Sequence, residues 1–374
     1  MERTTLNEAR RVVVKLGTRV LTEDDGRLAL SRLFEVVEET ARAWRAGREI
    51  LLVSSGAVGL GRDALGLFQS PRDLAARQAC AAVGQTRLMS LYEVGFSRLG
   101  MRCAQVLLTQ GDFDERARYL NLRSALNALL AHKVVPVINE NDVVSTEELA
   151  LTPGRGRLVF GDNDRLSALV ASKLDADLLV LLTDVDAVYD RNPRDHADAR
   201  RLDRLEPEDA VDAGGAGSAA SRGGMRSKVD AARVAARSGC HAVIASGRTP
   251  GVLRRVLAGE VEGTWVPAVG GLAARRRWIA FAAAPRGVLH LDPGAVRALR
   301  ERGASLLAAG VSRVEGDFAE GDVVELKDDR GAVIGRGVVS CDAEGARRWR
   351  SGEAPPNTHN RHALVHRDTL VLEP

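Results

Sequence analysis

Six runs of aliphatic and β-branched residues, each broken off by a small or polar turn, constrain this chain more than any other feature. Arg11-Val12-Val13-Val14-Lys15-Leu16 stops at Gly17-Thr18, and Glu49-Ile50-Leu51-Leu52-Val53 stops at Ser54-Ser55-Gly56-Ala57. Ala104 to Thr109 makes a third run, and Val134-Val135-Pro136-Val137-Ile138 gives way to Asn139-Glu140-Asn141-Asp142. Leu178 to Leu182 meets Thr183-Asp184, and Ala242 to Ala245 meets Ser246-Gly247. Apolar runs without alternation are strands covered on both faces, which is the habit of parallel sheets. Helical spacing fills the intervals. Ser31 to Ala46 carries Leu33, Val36, Val37, Thr40, Ala43 and Trp44 on one face, with Ser31 as the expected N-cap and Gly47 as the stop. Residues 73–99, 116–131, 163–174 and 226–238 read as further helices. The alternation predicts an α/β fold, an open, mostly parallel sheet between helices in a three-layer sandwich. Ligands of such sheets lie beyond the carboxyl ends of the strands, so the residues at the breaks are the candidate site.

The last hundred residues differ in style. After a stretch of short turns and the basic run Arg275-Arg276-Arg277, a helix over 293–302 precedes short alternating segments punctuated at Gly316-Asp317, Gly321-Asp322 and Asp328 to Gly331. We expect a first domain over 1–262, a linker over 263–279 and a small β-barrel over 280–374. A length of 374 residues with 45% hydrophobic and 28% charged residues suits a globular protein of that size, and a net charge of +3 gives no electrostatic case for a polyanionic partner. Within 275–374, 16 Arg and Lys face 14 Asp and Glu, a weak footprint for RNA. The four cysteines are scattered singly, which fits reduced thiols in a cytoplasmic protein. The charged start before Val12 argues against a signal peptide, and no segment reaches membrane-spanning length.

Only five of the 53 basic residues are lysine, Lys15, Lys133, Lys173, Lys228 and Lys327. Two of them, Lys15 and Lys228, stand beside glycines, where a compact ammonium reaches a single oxygen as a guanidinium fork does not. Lys228 closes the stretch Ser221-Arg222-Gly223-Gly224-Met225-Arg226-Ser227-Lys228, which fits two descriptions. It is a surface loop rich in small residues, or a phosphate cradle, in which paired glycines let the backbone approach and the following helix aims N–H groups at an anion. Gly161-Asp162-Asn163-Asp164 caps the next helix with more polar groups than one cap needs. Lysines, glycine turns and hydroxyls converging at one sheet edge suit phosphoryl transfer, a reaction catalysed by positioning and by cationic and N–H donors. Neither a P-loop nor a protein-kinase catalytic loop occurs, and the seven histidines form no ligand pattern, so we expect no resident metal.

The order of these motifs resembles the amino acid kinase family and, within it, the glutamate 5-kinases. The resemblance rests on Val14-Lys15-Leu16-Gly17-Thr18, Val53-Ser54-Ser55-Gly56-Ala57, Ile138 to Asp142, Gly161 to Asp164, Leu182-Thr183-Asp184 and Gly223 to Lys228. Leu291 to Ala295, Arg302 to Leu307 and His366-Arg367-Asp368 are similar to the PUA domain found fused to bacterial members. The resemblance implies transfer of the ATP γ-phosphate to the γ-carboxylate of L-glutamate, the first step of proline synthesis. It implies that Lys15 and Lys228 contact the transferring phosphate and that Asp164 holds them. Ser55, Asp142 and Asn163 are implied to bind glutamate. Lys15, Thr183, Asp184 and the segment Arg222, Gly223, Gly224, Met225, Arg226, Ser227, Lys228 are implied to bind ATP, with Mg2+ on its phosphates. It further implies feedback inhibition by proline, a homodimer or homotetramer, and a functional contact with the next pathway enzyme. Arg19 and Arg222 stand where that family usually has small residues, and the 142–161 loop is longer than usual. Aspartate and N-acetylglutamate kinases are the sibling reading.

Overall fold

The computed structural model describes residues 2–23, 27–67, 73–144, 163–193, 195, 196, 198–209, 224–269, 285–351 and 363–372. The chain divides into two compact units, 1–271 and 272–374. The loop between Asp142 and Gly161 lies, from 145 onward, outside the described residues, as do Gly161, Asp162, Arg222, Gly223 and the basic run at 275–277.

In the first unit the strands are β1 (Arg11–Leu16), β2 (Glu49–Ser54), β3 (Arg102–Leu108), β4 (Val134–Glu140), β5 (Leu178–Thr183), the short β6 (Val188–Tyr189) and β7 (Arg201–Leu202), β8 (His241–Ser246) and β9 (Thr264–Val266). Seven of them form one sheet in the order β3-β4-β2-β1-β5-β8-β9, parallel except where β9 runs against β8. β6 and β7 form a separate antiparallel ribbon. The unbroken apolar runs have their cause here, because Val12, Val13, Val14, Leu51, Leu52, Leu179 and Val180 are all fully buried. Each such side chain contributes about 1.5–3 kcal/mol of transfer free energy.

The helices are α1 (Thr18–Leu21), α2 (Leu30–Arg45), α3 (Ala57–Ala64), α4 (Leu74–Arg98), α5 (Gly111–Asp114), α6 (Arg116–Ala131), α7 (Asn163–Lys173), α8 (Met225–Arg237) and α9 (Val252–Leu257). Three expectations change. α2 begins at Leu30 with Ala29 as N-cap, so Ser31 lies inside the helix. The bridge of Thr22 to Leu28 and the bond from Ala29 N–H to Leu21 O bring the chain into the helix earlier than the capping residue alone suggests. The turn after β2 is confined to Ser55 and Gly56, since α3 starts at Ala57. Thr264–Val266, expected in a linker, completes the sheet by pairing with β8, and Leu205 N–H donates to Trp265 O on its other side.

α3 and α4 meet backbone to backbone. A Cβ at Gly61 would sit 1.7 Å from Cys80 O, and one at Gly84 would sit 1.7 Å from Ala57 O, so both positions require glycine for the close approach. This crossing holds the start of α3, and with it Ser55, against the middle of α4.

The second unit contains β10 (Gly287–Leu291), α10 (Pro293–Arg302), β11 (Val311–Gly316), β12 (Val323–Lys327), β13 (Val333–Val339), α11 (Ala343–Arg350) and β14 (Val365–Leu372). Its five strands lie in the order β11-β10-β12-β13-β14, antiparallel except for the β10–β12 pair. The turns at Gly316-Asp317, Gly321-Asp322 and Asp328 to Gly331 join the strands. Leu289, Leu291, Val324, Leu326, Ile334 and Leu364 form a core of their own. Asp292 caps α10 by accepting from Ala295 N–H, with Pro293 at the first helical position.

Candidate active site

Asp164, in the first turn of α7, is the centre of the site and is completely buried. Lys15 Nζ, near the carboxyl end of β1, lies 2.6 Å from its Oδ1, and Lys228 Nζ, in the first turn of α8, lies 3.2 Å from its Oδ2. Ser227 Oγ donates to the same Oδ2 at 2.8 Å. Lys15 is 4% exposed and Lys228 8%, so two cations from opposite ends of the unit's sequence converge on one carboxylate away from water. Two ammonium groups thus face one carboxylate in a low-dielectric setting, an excess of one formal positive charge. Such a cluster attracts an anion far more strongly than it could in water. Gly224 N-caps α8 in an extended conformation and offers no side-chain cap, so the first N–H groups of that helix have no partner within it. Met225 and the exposed Arg226 follow it.

A second cluster sits one strand further along the edge. Asn163 Nδ2 donates to Ser55 Oγ at 2.8 Å, to Asn139 Oδ1 at 2.9 Å and to Ser54 O at 3.3 Å. Ser54 Oγ shares a 2.8 Å hydrogen bond with the buried Tyr92 hydroxyl, tying the end of β2 to α4. Asp142 stands half-buried in the turn after β4, and the bonds of Ser55 and Asn163 do not reach it.

On the other side of β1, Thr183 and Asp184 end β5. Thr183 Oγ1 donates to Asp184 Oδ1 at 3.1 Å, and Arg19 pairs with Asp184 Oδ2 at 3.0 Å. Burial alone would raise the Asp184 carboxyl, but the Arg19 bond, a backbone N–H and Thr183 outweigh it and hold the group below the usual carboxylate range. Among the described residues no three His, Cys, Asp or Glu side chains gather as a metal site would require.

The comparisons follow the same outline. The model of the amino acid kinase family matches residues 10–246. The chain belongs to this family. A PUA domain model matches residues 287–359. This amino acid kinase is 47% identical over 378 residues to a glutamate 5-kinase of Chromohalobacter salexigens, covering 99% of this chain and 98% of that relative. It is 48% identical over 380 residues to a glutamate 5-kinase of Myxococcus xanthus, again covering 99% and 98%. Among solved structures, an isopentenyl phosphate kinase covers 69% of this chain and 100% of its own at 22% identity and a TM-score of 0.48.

Of the residues singled out in the sequence, Lys15, Asp164, Ser227 and Lys228 come together, Ser55 joins Asn163, and Thr183 joins Asp184. Three participants carry no signal of their own in the sequence. Asn139 sits inside a recognised motif without an assigned task, Arg19 reads as a departure from the family pattern, and Gln85, whose Oε1 accepts from Asn139 Nδ2 at 2.9 Å, is one polar residue in a long helix. No helix among the described residues is long and apolar enough to cross a membrane.

Proposed function

We infer that this chain transfers the γ-phosphoryl group of ATP to the γ-carboxylate of L-glutamate, giving γ-glutamyl phosphate and ADP. The carrying observation is the Lys15–Asp164–Lys228 cluster, which holds two ammonium groups at one buried point. A carboxylate oxygen of glutamate attacks the γ-phosphorus, the bond from that phosphorus to the bridging oxygen breaks, and its electron pair leaves with ADP. No side chain needs to act as a base, because a carboxylate is already ionised at neutral pH. The protein's task is to hold the acceptor in line and to offset charge on the equatorial oxygens. Lys15 and Lys228 do the latter, with Asp164 fixing where they point.

Glutamate is assigned to the Ser55–Asn163 cluster and the Asp142 turn. The nucleotide is assigned to the ends of β5 and the start of α8, with Thr183, Asp184 and the segment from Arg222 to Lys228 around it. Both oxygens of Asp164 are already engaged by Lys15, Lys228 and Ser227, and Asp184 by Arg19 and Thr183. Mg2+ therefore enters on the phosphates, as part of the substrate. The relatives named as glutamate 5-kinases support this choice of acceptor over aspartate or N-acetylglutamate. Feedback inhibition by proline, a cytoplasmic location, a homodimer or homotetramer and a functional contact with the next pathway enzyme belong to the same reading. The test is incubation of the full chain with ATP, Mg2+, glutamate and hydroxylamine. A glutamate-dependent hydroxamate is expected. Folded protein that yields none, or that prefers aspartate or N-acetylglutamate in competition, overturns the assignment.

A further inference from the structure

A line of carboxamides runs from the glutamate cluster into α4. Asn163 Nδ2 donates to Asn139 Oδ1 at 2.9 Å, and Asn139 Nδ2 donates to Gln85 Oε1 at 2.9 Å. The oxygen and nitrogen of a carboxamide have nearly the same shape, so the direction of such a line must be established by a group that cannot turn over. The backbone supplies one. Glu140 N–H donates to Asn139 Oδ1 at 2.9 Å, and an N–H is never an acceptor. It identifies Oδ1 of Asn139 as the oxygen, so the nitrogen is the end that faces Gln85 and the contact with Asn163 requires a nitrogen from Asn163; Glu140 N–H holds the oxygen end of the Asn139 carboxamide and Gln85 Oε1 holds the nitrogen end.

Two consequences follow at the site. The nitrogen of Asn163 is engaged by Ser55, Asn139 and Ser54, so its Oδ1 is the atom left for a ligand. Ser55 Oγ accepts from Asn163 and keeps its own proton to donate. At the far end, Gln85 is 7% exposed and its Nε2 is buried without a partner among the described residues. A leucine at that place in α4 would carry no such penalty. What the amide alone provides is the acceptor that holds Asn139.

We propose that Gln85 is a positioning residue of the acceptor site: through Asn139 it locks the Asn163 carboxamide with its oxygen toward the cleft, selecting acceptors that carry an α-ammonium group. The inference rests on the reading of the acceptor as an amino acid. A carboxylate offers Oδ1 only lone pairs, whereas an ammonium offers three donors. The hydroxyl of Ser55 complements it by donating to a carboxylate of the same substrate.

The experiment compares wild type, Gln85→Leu and Gln85→Glu in the full chain by steady-state kinetics, with Gln85→Met as the substitute where the leucine variant does not fold. Gln85→Leu is expected to raise the KM for glutamate about tenfold while kcat and the KM for ATP stay within about twofold, as suits a lost orienting bond in the ground state. Gln85→Glu retains an oxygen for Asn139 and is expected to stay within about threefold of wild type. Glutarate has both carboxylates and no ammonium, so its inhibition constant is expected to be the same in wild type and Gln85→Leu. An unchanged KM for glutamate in Gln85→Leu, or an equal loss for glutamate and glutarate, overturns the proposal. A wild-type protein that forms no acyl phosphate from glutamate overturns the acceptor assignment itself, and so is distinguished from failure of the relay.

Discussion

Asp164 is shared by two ammonium groups, and the division of labour between them can be tested one residue at a time. Lys228 lies in the first turn of α8, whose leading N–H groups have no partner within the helix, and in the proposed reaction its charge matters most when negative charge spreads over the transferring oxygens. Lys228→Ala is expected to lower kcat by about a hundredfold or more while the KM for glutamate changes by less than about threefold, in line with loss of one preorganised electrostatic contact. Lys228→Arg is not expected to rescue it, because a planar fork does not fit beside Ser227 and Oδ2 of a fully buried carboxylate. A variant that keeps near-normal turnover in the hydroxamate assay refutes this role. Lys173 is a buried lysine outside the candidate site. It ends α7 at 3% exposure, with Nζ 3.9 Å from the Tyr119 ring centroid and 3.4 Å from Phe113 O. Burial lowers its pKa to about 6, with Asp114 opposing. Between that value and the ordinary 10.5, the unfolded chain holds a proton that the folded chain lacks, so stability rises with pH across the window and falls as pH drops toward 6. Lys173→Met should flatten that slope by up to about 1.4 kcal/mol per pH unit, read from denaturant unfolding at pH 7, 8 and 9. An unchanged slope means the lysine stays protonated in the fold.

The elements matter to the site chiefly through one crossing. Gly84 lies next to Gln85, and its missing Cβ is what lets α4 lie on the backbone of α3 at Ala57, two residues after Ser55. Gly84→Ala must push the helices apart or distort one of them, at about 1–3 kcal/mol. Because the displaced groups carry Ser55 and Gln85, the KM for glutamate should rise while that for ATP, assigned above to β5 and α8, stays within about twofold. A loss of melting temperature with both KM values unchanged would separate the crossing from the site. This is also where the sequence stopped being legible. The strands showed themselves because a run such as Val12-Val13-Val14 has no other stable setting than a covered parallel sheet. The ends of those runs pointed to Lys15 and Thr183 for the same reason, and the surplus of polar groups at a helix start pointed to Asp164. Gln85 left no trace, since one amide in a 25-residue helix looks the same whether it faces water or a carboxamide relay. Thr264–Val266 was missed because three residues are too few to show a period, and its pairing with β8 is a tertiary choice.

At the scale of the whole molecule, two separate cores predict two separate stabilities. The kinase core gathers Val12, Leu52, Tyr92, Val180 and Trp265, and the core of residues 272–374 gathers Leu289, Val324, Leu326 and Ile334, with no residue in common. Every site residue assigned above precedes residue 229. MgATP, which the proposed function assigns to the first unit, should stabilise that unit by mass action and leave the other where it was. Leu326→Ala removes a fully buried side chain from the second core and should cost that unit about 2–5 kcal/mol. Calorimetry of the full chain is therefore expected to show two transitions. One should rise with MgATP and ignore Leu326→Ala, and the other should fall with Leu326→Ala and ignore MgATP. Glutamate kinetics of the variant, measured below both transitions, should match wild type within about twofold, because the cavity lies in a core that packs none of the groups holding Asp164. A single transition that answers to both perturbations would mean that the PUA unit and the kinase unit fold as one cooperative body, and the second unit would then be part of what keeps the site in shape.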